Sequence, residues 1–232
     1  MTRYHTIQYN PDFQKKSALQ KKPESKLPIG KVVCVGRNYA EHAAELNNPV
    51  PTTPLLFMKP STAVVDLNTP FAIPSNRGAC HHETEIAILI GSTLTAVEAQ
   101  DVPAAIAGIG VALDLTLRDV QAELKKQGYP WEVAKAFDGS CPLSHFAPYD
   151  AATDLTNLKI RLSVNGIIKQ QGCASEMITP IQPLIAYISQ IFTLLPGDVV
   201  LTGTPKGVGP LQHGDQLKVE LIDFVTCSSS VL

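Results

Sequence analysis

The stretch that decides the fold is His82-Glu83-Thr84-Glu85-Ile86-Ala87-Ile88-Leu89-Ile90. Its β-branched residues predict a strand, in which successive side chains point to opposite faces. Glu83 and Glu85 would then share one face with the next two odd-numbered residues, which are apolar. The even-numbered residues would form the other face. The stretch therefore predicts a strongly apolar strand that begins with two acids on one of its sides.

These two acids admit two interpretations. Carboxylates on one face are costly to bury unless a cation neutralises them. Asp114, in the predicted strand 108–116, adds a third carboxylate. Oxygen-only ligands favour a hard ion such as Mg²⁺ or Mn²⁺ over zinc. The alternative is a half-exposed strand with a polar face, and the spacing of the acids alone does not separate the two.

Composition limits the class of protein. A chain of 232 residues that is 44% hydrophobic and 17% charged fits one large domain or two small ones. The net charge of -2 provides no basic field, so nucleic acid is not an expected partner. No apolar run reaches the roughly 18 residues of a membrane span. The five cysteines are scattered without a Cys-x-x-Cys pair, which predicts reduced thiols in a cytoplasmic protein.

Residues 1–30 form a predicted basic N-terminal extension. The first 26 residues hold six basic residues against two acidic ones, a net charge of +4. Pro23 and Pro28 separate this segment from the apolar run that follows. We interpret it as a solvated extension or a strap across a partner subunit. The alternative is a targeting or nucleic-acid-binding arm.

The rest of the chain is predicted to be mostly β, with a few helices. Asn165-Gly166 lies between two apolar runs and predicts a hairpin, because this pair supplies the positive φ of a type I′ turn. Apolar residues recur at helical spacing over residues 181–195. Further helices are predicted at 101–107, with Asp101 as N-cap, and at 118–127, with Gly128 at the C-terminal cap position.

Three polar residues have neighbours or spacings that suggest a functional role. His42 and Glu45 are three residues apart, so on a helix they would meet, and a carboxylate beside an imidazole suits a general base. The alternative is an exposed helix pair of little energetic consequence. Lys135 lies among apolar neighbours, where a lysine either extends its charge to solvent or faces an anionic substrate.

Six motifs carry a resemblance to a known family. In chain order they are Val35-Gly36-Arg37-Asn38-Tyr39, Leu56-Phe57-Met58-Lys59-Pro60-Ser61-Thr62, His81-His82-Glu83-Thr84-Glu85, Ala112-Leu113-Asp114-Leu115-Thr116-Leu117-Arg118-Asp119, Ala134-Lys135-Ala136-Phe137-Asp138, and Leu201-Thr202-Gly203-Thr204-Pro205-Lys206-Gly207-Val208-Gly209. With them the chain resembles the fumarylacetoacetate hydrolase family, in its short single-domain branch of acylpyruvate hydrolases and oxaloacetate decarboxylases or tautomerases. The resemblance covers Lys31 to the C-terminus, and nothing transfers to the residues before it.

The resemblance implies a fold and a site. The fold would be α+β, with a mixed rolled β-sheet core and a few peripheral helices, usually as a homodimer. Residues 31–232 would be the catalytic domain, with a lid at about 37–50. The implied Mg²⁺ ligands, with Mn²⁺ as the alternative ion, are Glu83, Glu85 and Asp114. The implied catalytic residues are His42 and Glu45, as a lid dyad, and Lys135, which stabilises negative charge; Arg37, Arg118, Gln121 and Thr204 match substrate contacts.

The resemblance also implies a reaction class. The chain would be a Mg²⁺-dependent enzyme acting on small 2-oxo acids and diacids through a metal-bound enolate. Hydrolysis of acylpyruvates such as fumarylpyruvate and tautomerisation or decarboxylation of oxaloacetate all fit. An isomerase of the 2-hydroxyhepta-2,4-diene-1,7-dioate type is an alternative, although such enzymes usually contain two of these units. A catalytically silent metal-binding dimer is another, which the retained dyad and Lys135 disfavour.

Overall fold

The structure, a computed structural model, describes residues 4–6, 26–46 and 49–232. Its strands are β1 (Tyr4–Thr6), β2 (Lys26–Pro28), β3 (Val32–Gly36), β4 (Leu55–Lys59), β5 (Val64–Asp66), β6 (Cys80–His82), β7 (Thr84–Ile90), β8 (Ile106–Leu113), β9 (Thr116–Leu117), β10 (Cys141–Leu143), β11 (Ala147–Pro148), β12 (Lys159–Val164), β13 (Ile167–Cys173), β14 (Val199–Leu201), β15 (Gly209–Pro210), β16 (Gln216–Leu221) and β17 (Val225–Ser230). Its α-helices are α1 (Ala40–Glu45), α2 (Arg118–Gln127), α3 (Glu132–Lys135) and α4 (Ile181–Ile191). Most of the predicted extension 1–30, and residues 47–48 of the predicted lid, lie outside the described residues.

The central sheet is mixed, which confirms the predicted α+β class. Its strand order is β4-β3-β14-β7-β8-β10-β5, and β11 also pairs with β8. The pairs β3–β14 and β5–β10 are parallel, and the other pairs of this sheet are antiparallel. A second sheet, β13-β12-β16-β17, is antiparallel throughout. A short sheet, β15-β6-β9, leads into the start of β7.

Strand β7 runs through the middle of the core. Every one of its residues is buried. Ile86, Ile88 and Ile90 belong to one apolar cluster, whereas Ala87 and Leu89 belong to a second cluster. The predicted alternation of faces is therefore confirmed, and the alternative of a half-exposed strand is wrong. Because both faces are buried, the two acids at the start of this strand lie inside the protein.

Local signals predicted some elements well. Helix α2 has the predicted bounds, and Gly128 ends it with a φ of 70° in the left-handed region. The hairpin of β12 and β13 turns at Asn165 and Gly166, whose φ angles are 52° and 80°. Both features depend on a backbone conformation that glycine and asparagine adopt at little cost.

Two predicted helices differ from the structure. Helix α4 ends at Ile191 and not at residue 195, because Leu194 exchanges two 2.9 Å backbone hydrogen bonds with Leu94 and must be extended. The segment 99–105 is a 3₁₀ helix, so Asp101 lies inside it and is not its N-cap. Ile106 then pairs with Ile90, which starts β8 earlier than predicted. None of the helices among the described residues is long and apolar enough to cross a bilayer.

Candidate metal and active site

The ends of two paired strands bring three carboxylates together. Glu83 precedes β7, Glu85 lies on it, and Asp114 follows β8 directly. The Asp114 N–H donates to the Glu83 carbonyl at 2.8 Å, which joins the strand ends. One oxygen from each carboxylate lies within 4.8 Å of the other two. Their exposed fractions are 5%, 1% and 0%, so the cluster is a buried concentration of negative charge.

Cationic side chains face this cluster. Lys135 Nζ lies 2.8 Å from Glu83 Oε2 and 2.6 Å from Asp114 Oδ2. Arg118 forms an ion pair with the other oxygen of Glu83. The Lys135 ammonium also lies 5.0 Å from the centroid of the Phe57 ring. Because Lys135 is 3% exposed, it does not extend its charge to solvent, and that interpretation of the sequence is wrong.

Lys59 is a second buried lysine, and the sequence analysis did not assign it a role. Its Nζ lies 2.8 Å from Asp114 Oδ1. The same ammonium donates to the Ser140 carbonyl at 3.0 Å and to Ser140 Oγ at 3.1 Å, and it contacts the Lys135 carbonyl. Lys59 therefore joins β4 to the carboxylate cluster. The sequence did contain a signal for a buried role of Lys59, because this lysine ends the apolar run 55–59, as Lys135 also lies among apolar residues.

The carboxylates respond differently to this environment. Burial works against ionisation of Glu83, but Lys135 and Arg118 outweigh it and lower the pKa of that carboxyl. Burial raises the pKa of Glu85 well above its usual range, and the charges of Asp114 and Glu83 raise it further. Glu85 Oε2 accepts a 2.6 Å hydrogen bond from the Gly203 N–H. A bound cation would relieve this repulsion, so an all-oxygen, carboxylate-rich donor set fits a hard divalent ion.

His42 and Glu45 lie together on helix α1, as their spacing predicts. His42 Nδ1 is 3.5 Å from Glu45 Oε2. Both oxygens of Glu45 accept from the Gly207 N–H, at 3.1 and 3.2 Å. Burial lowers the pKa of His42, and the opposing effects of Glu83 and Glu45 do not offset it. The imidazole is therefore neutral at neutral pH and has a free lone pair, as a proton acceptor requires.

A cavity of about 190 Å³ connects these groups. Nine of the ten residues predicted for the site line it; Glu45 does not, and contacts His42 from outside the cavity. The nine are Arg37, His42, Glu83, Glu85, Asp114, Arg118, Gln121, Lys135 and Thr204. Further lining residues were not predicted from the sequence, among them Leu46, Phe57, Lys125 and Trp131. A space of this size suits a small molecule and not a polymer.

Gln170 is a buried residue that ties two parts of the site together. Its Oε1 accepts from the Thr84 N–H at 3.0 Å and lies 2.9 Å from His82 Nδ1. Its Nε2 donates to Thr204 Oγ1 at 2.8 Å and to the Pro205 carbonyl at 2.9 Å. These contacts join the start of β7 to the loop that carries Thr204. Both neighbours of Gln170 on β13 are exposed polar residues, so the local sequence contains no signal for this role.

Comparison with known proteins identifies the family of the chain. The family model described as fumarylacetoacetate (FAA) hydrolase C-terminal matches residues 31–232. The chain is 60% identical over 193 residues to oxaloacetate tautomerase YcgM of Escherichia coli (strain K12), covering 83% of this chain and 88% of that protein. It is 46% identical to mitochondrial oxaloacetate tautomerase FAHD1 of Bos taurus, covering 81% of this chain and 85% of that protein.

A solved structure extends the comparison to the whole chain. The fumarylpyruvate hydrolase of Pseudomonas aeruginosa, in complex with Mn²⁺ and pyruvate, superposes with a TM-score of 0.88 at 31% identity. The match covers 100% of this chain and 96% of that one. The fold resemblance that the six motifs predicted for residues 31–232 is therefore confirmed.

Proposed function

The chain belongs to the fumarylacetoacetate hydrolase family, and from that premise we propose that it catalyses enol–keto exchange of oxaloacetate. The observation that carries the proposal is the 60% identity to an oxaloacetate tautomerase over 88% of that protein's length. The site supports it with a proton-accepting imidazole and buried cations around one small cavity. Family membership makes the chain an enzyme, and the substrate and the reaction are the parts proposed.

We propose Mg²⁺ as the cofactor, with Mn²⁺ able to replace it. Glu83, Glu85 and Asp114 would hold the ion, because their oxygens converge within 4.8 Å in a buried setting. The ion, when bound, polarises the keto oxygen of a 2-oxo acid and stabilises the negative charge that develops there. The Mn²⁺ and pyruvate in the P. aeruginosa relative support a divalent ion beside a 2-oxo acid.

The chain's own residues would move the proton and stabilise charge. His42, neutral because it is buried, would accept the proton from C3 of the keto form and deliver it to the 2-oxygen to give the enol, and the reverse transfer would return the proton to C3. Glu45 orients the imidazole from its position on the Gly207 N–H. Lys135 faces the carboxylate cluster with its full charge, because Asp114 and Glu83 outweigh burial and raise its pKa. It stabilises the oxygen that becomes negative when the proton leaves.

Arg37, Arg118, Gln121 and Thr204 would contact the substrate. All four line the cavity. Arg118 Nη1 donates to Gln121 Oε1 at 2.7 Å. This hydrogen bond fixes the orientation of the guanidinium beside the Gln121 amide. A guanidinium held in this way suits a carboxylate ligand, because its N–H groups can donate two parallel hydrogen bonds to the two carboxylate oxygens.

Hydrolysis of an acylpyruvate such as fumarylpyruvate is the second candidate. The observation that favours it is the full-length structural match to a fumarylpyruvate hydrolase. In that reaction His42 would take a proton from a water molecule that attacks the distal carbonyl, and Lys135 would stabilise the departing pyruvate unit. Decarboxylation of oxaloacetate also places negative charge on the former keto oxygen of the substrate. An assay must therefore separate this third reaction from tautomerisation and hydrolysis.

The deciding experiment measures three reactions with one protein preparation. Chelator-treated protein is assayed with and without Mg²⁺ on oxaloacetate and on fumarylpyruvate, recording enol loss, CO₂ release and pyruvate formation separately. We expect Mg²⁺-dependent enol–keto exchange to be the fastest reaction. Glu85→Gln is the matched variant, because it removes one metal-binding charge with little change of shape. Exchange at the uncatalysed rate with Mg²⁺ present, alongside rapid fumarylpyruvate cleavage, would replace the first candidate by the second.

We propose that residues 31–232 are the catalytic domain and that 37–50 form its lid. Asn38 anchors one end, since its amide contacts Thr179 and the Thr202 carbonyl at 2.8–3.0 Å. Beyond it, α1 has only six residues, and Val50 is 52% exposed. Weakly packed segments of this kind open readily. Backbone amide exchange over α1 should slow when Mg²⁺ and oxalate are added together, and unchanged exchange would count against a lid.

We propose a homodimer, with the basic extension 1–30 solvated or crossing the partner. Ile167 and Ile168 are 61% and 53% exposed on β13, which is an edge strand of the second sheet. An exposed apolar edge is a site where chains associate. Sedimentation should give a dimer for the full chain, and Ile168→Lys should weaken it. A monomer at micromolar concentration would contradict the proposal.

We also propose that the protein works in the cytoplasm. All five cysteines are free thiols, and four of them are buried. Thiols persist where the compartment is reducing. Cell fractionation with an antibody to the chain tests this location directly.

A further inference from the structure

One face of helix α2 forms a wall of the cavity. Arg118, Gln121, Ala122 and Lys125 all line it, and their spacing of three, four and seven residues places them on one side of the helix. Arg118 is at the inner end, where it pairs with Glu83. Lys125 is two turns further along, about 10 Å by helix rise, and is exposed to solvent. The wall therefore runs from the carboxylate cluster to the mouth of the cavity.

Lys125 points back along this wall. Side chains on a helix tilt toward its N-terminus, so the Lys125 stem leans toward the turn that carries Gln121. Partial burial lowers the pKa of Lys125, and the nearby charges of Arg37 and Arg118 lower it further. Lys125 and Arg37 thus face the same space near the mouth, and Arg118 lies deeper in the cavity on Glu83. Concentrated positive charge at the entrance of a small cavity favours an anionic group there.

Arg37 is held in place from the other side. It has a φ of 60°, in the left-handed region that a non-glycine residue adopts only under constraint. The next residue, Asn38, is 3% exposed and makes hydrogen bonds to Thr179 and Thr202 that fix the turn. Gly203 leaves room for it, since a Cβ on Gly203 would lie 2.7 Å from the Asn38 Cβ. Arg37 is therefore presented to the cavity by a fixed backbone.

We infer that Lys125, together with Arg37, binds the second carboxylate of the substrate and makes the enzyme selective for 2-oxo diacids over 2-oxo monoacids. The inference rests on the proposed function, because it assumes that the 2-oxo acid end lies at the carboxylate cluster. Arg118 serves that inner end, and the two outer cations serve the distal end. Phe57 and Trp131, whose ring centroids are 6.0 Å apart, line the cavity and contact the carbon chain between the ends.

The test uses two substrates that differ in one charge, oxaloacetate and its 4-methyl ester. Lys125→Met should raise KM for oxaloacetate about tenfold, the loss expected for one charge contact at a partly solvated site. The KM for the ester should change less than twofold, and kcat on both should stay close to wild type. Lys125→Arg should restore the preference for the diacid. The tenfold effect should shrink in 0.5 M salt, where exposed charges are screened.

Lys126→Met is the matched control, because Lys126 is the next residue on the helix and does not line the cavity. It should leave both KM values unchanged. Equal losses on both substrates in Lys125→Met, or a wild-type enzyme that does not distinguish diacid from ester, would overturn the inference. If the wild type turns over neither compound, the proposed function fails. In that case the role of Lys125 is decided by calorimetry, which compares the affinities of Mg²⁺-loaded wild type and Lys125→Met for the same two compounds. This measurement does not depend on turnover.

Discussion

The floor of the cavity and the helix beside it are built in opposite ways. Four residues of the floor line the cavity, namely Glu83, Glu85, Asp114 and Lys135, and Lys59 supports them from outside the cavity through Asp114. Each of the five is at most 5% exposed. The two lysines contact Glu83 and Asp114 at 2.6–2.8 Å through side chains that come from the ends of separate strands and a helix. Removal of either lysine would leave a buried carboxylate without one of its counterions.

Helix α1 carries the proton-transfer pair on much weaker support. The Glu45 side chain is 34% exposed and is held by one backbone N–H at 3.1–3.2 Å. Glu41 of the same helix reaches Lys206 at 3.1 Å across a surface where both side chains are more than 60% exposed. The comparison indicates a division of roles, because a metal site requires fixed ligands whereas a segment that admits substrate must open.

The floor should fail as a unit when one ion is removed. Lys59→Met should lower the free energy of unfolding by about 3–5 kcal/mol, because Asp114 and the Ser140 groups lose a buried partner. Denaturant unfolding monitored by circular dichroism measures the change. Lys126→Met, an exposed lysine changed in the same way, should unfold like the wild type. Wild-type stability of Lys59→Met would show that the floor is not a coupled cluster.

Helix α1 should give the opposite result, a large loss of rate with little change in binding. His42→Ala should lower kcat by about 10²–10⁴-fold, as expected for a lost general base. The affinity for oxalate with Mg²⁺ should change far less, because the metal supplies most of that binding. His213→Ala is the control, since His213 is exposed and outside the cavity. Full turnover by His42→Ala, with loss of turnover in His82→Ala, would assign the base to the other histidine.

Gln170 joins the start of β7 to the loop that carries Thr204 and should show a mixed effect. Gln170→Met leaves His82 and Thr204 without a buried partner and should cost about 1–3 kcal/mol of unfolding free energy. It should also raise KM, because Thr204 lines the cavity and loses its orientation. Gln171→Met changes the exposed neighbour on the same strand and should alter neither quantity. A stability loss without a KM change would restrict Gln170 to a structural role.

The weakest contact of helix α1 should be close to neutral. Glu41 and Lys206 form a solvent-exposed pair, for which a coupling energy of at most about 1 kcal/mol is expected. A double-mutant cycle with Glu41→Gln and Lys206→Met, followed by denaturant unfolding, measures that coupling. A coupling of several kcal/mol would mean that helix α1 is held as firmly as the floor, and the contrast between the two regions would be lost.

Much of the site was predictable, but not all of it by the same reasoning. The spacing of Glu83 and Glu85 predicted carboxylates on one face, and the structure brings Asp114 to them. The motifs indicated Lys135 and the His42–Glu45 pair, whose roles remain predictions. Lys59 lay inside a recognised motif without an assigned role, because its function depends on a partner 55 positions along the chain.

The sequence by itself determined the features that depend on a few neighbouring residues. Asn165-Gly166 specifies its turn through positive φ, Gly128 ends α2 for the same reason, and the alternation along β7 sets its two faces. Backbone preference and the period of a strand operate over short distances, so these features can be read directly.

Only the tertiary structure decided which distant residues meet. Leu194 ends α4 by pairing with Leu94, and Gln170 turns inward from between two exposed polar neighbours. The ion pair of Lys59 with Asp114 likewise requires the order in which β4, β3, β14, β7 and β8 assemble. Such contacts gain their free energy from burial and charge compensation that exist only after the sheets have packed. Local conformational preference carries no information about them.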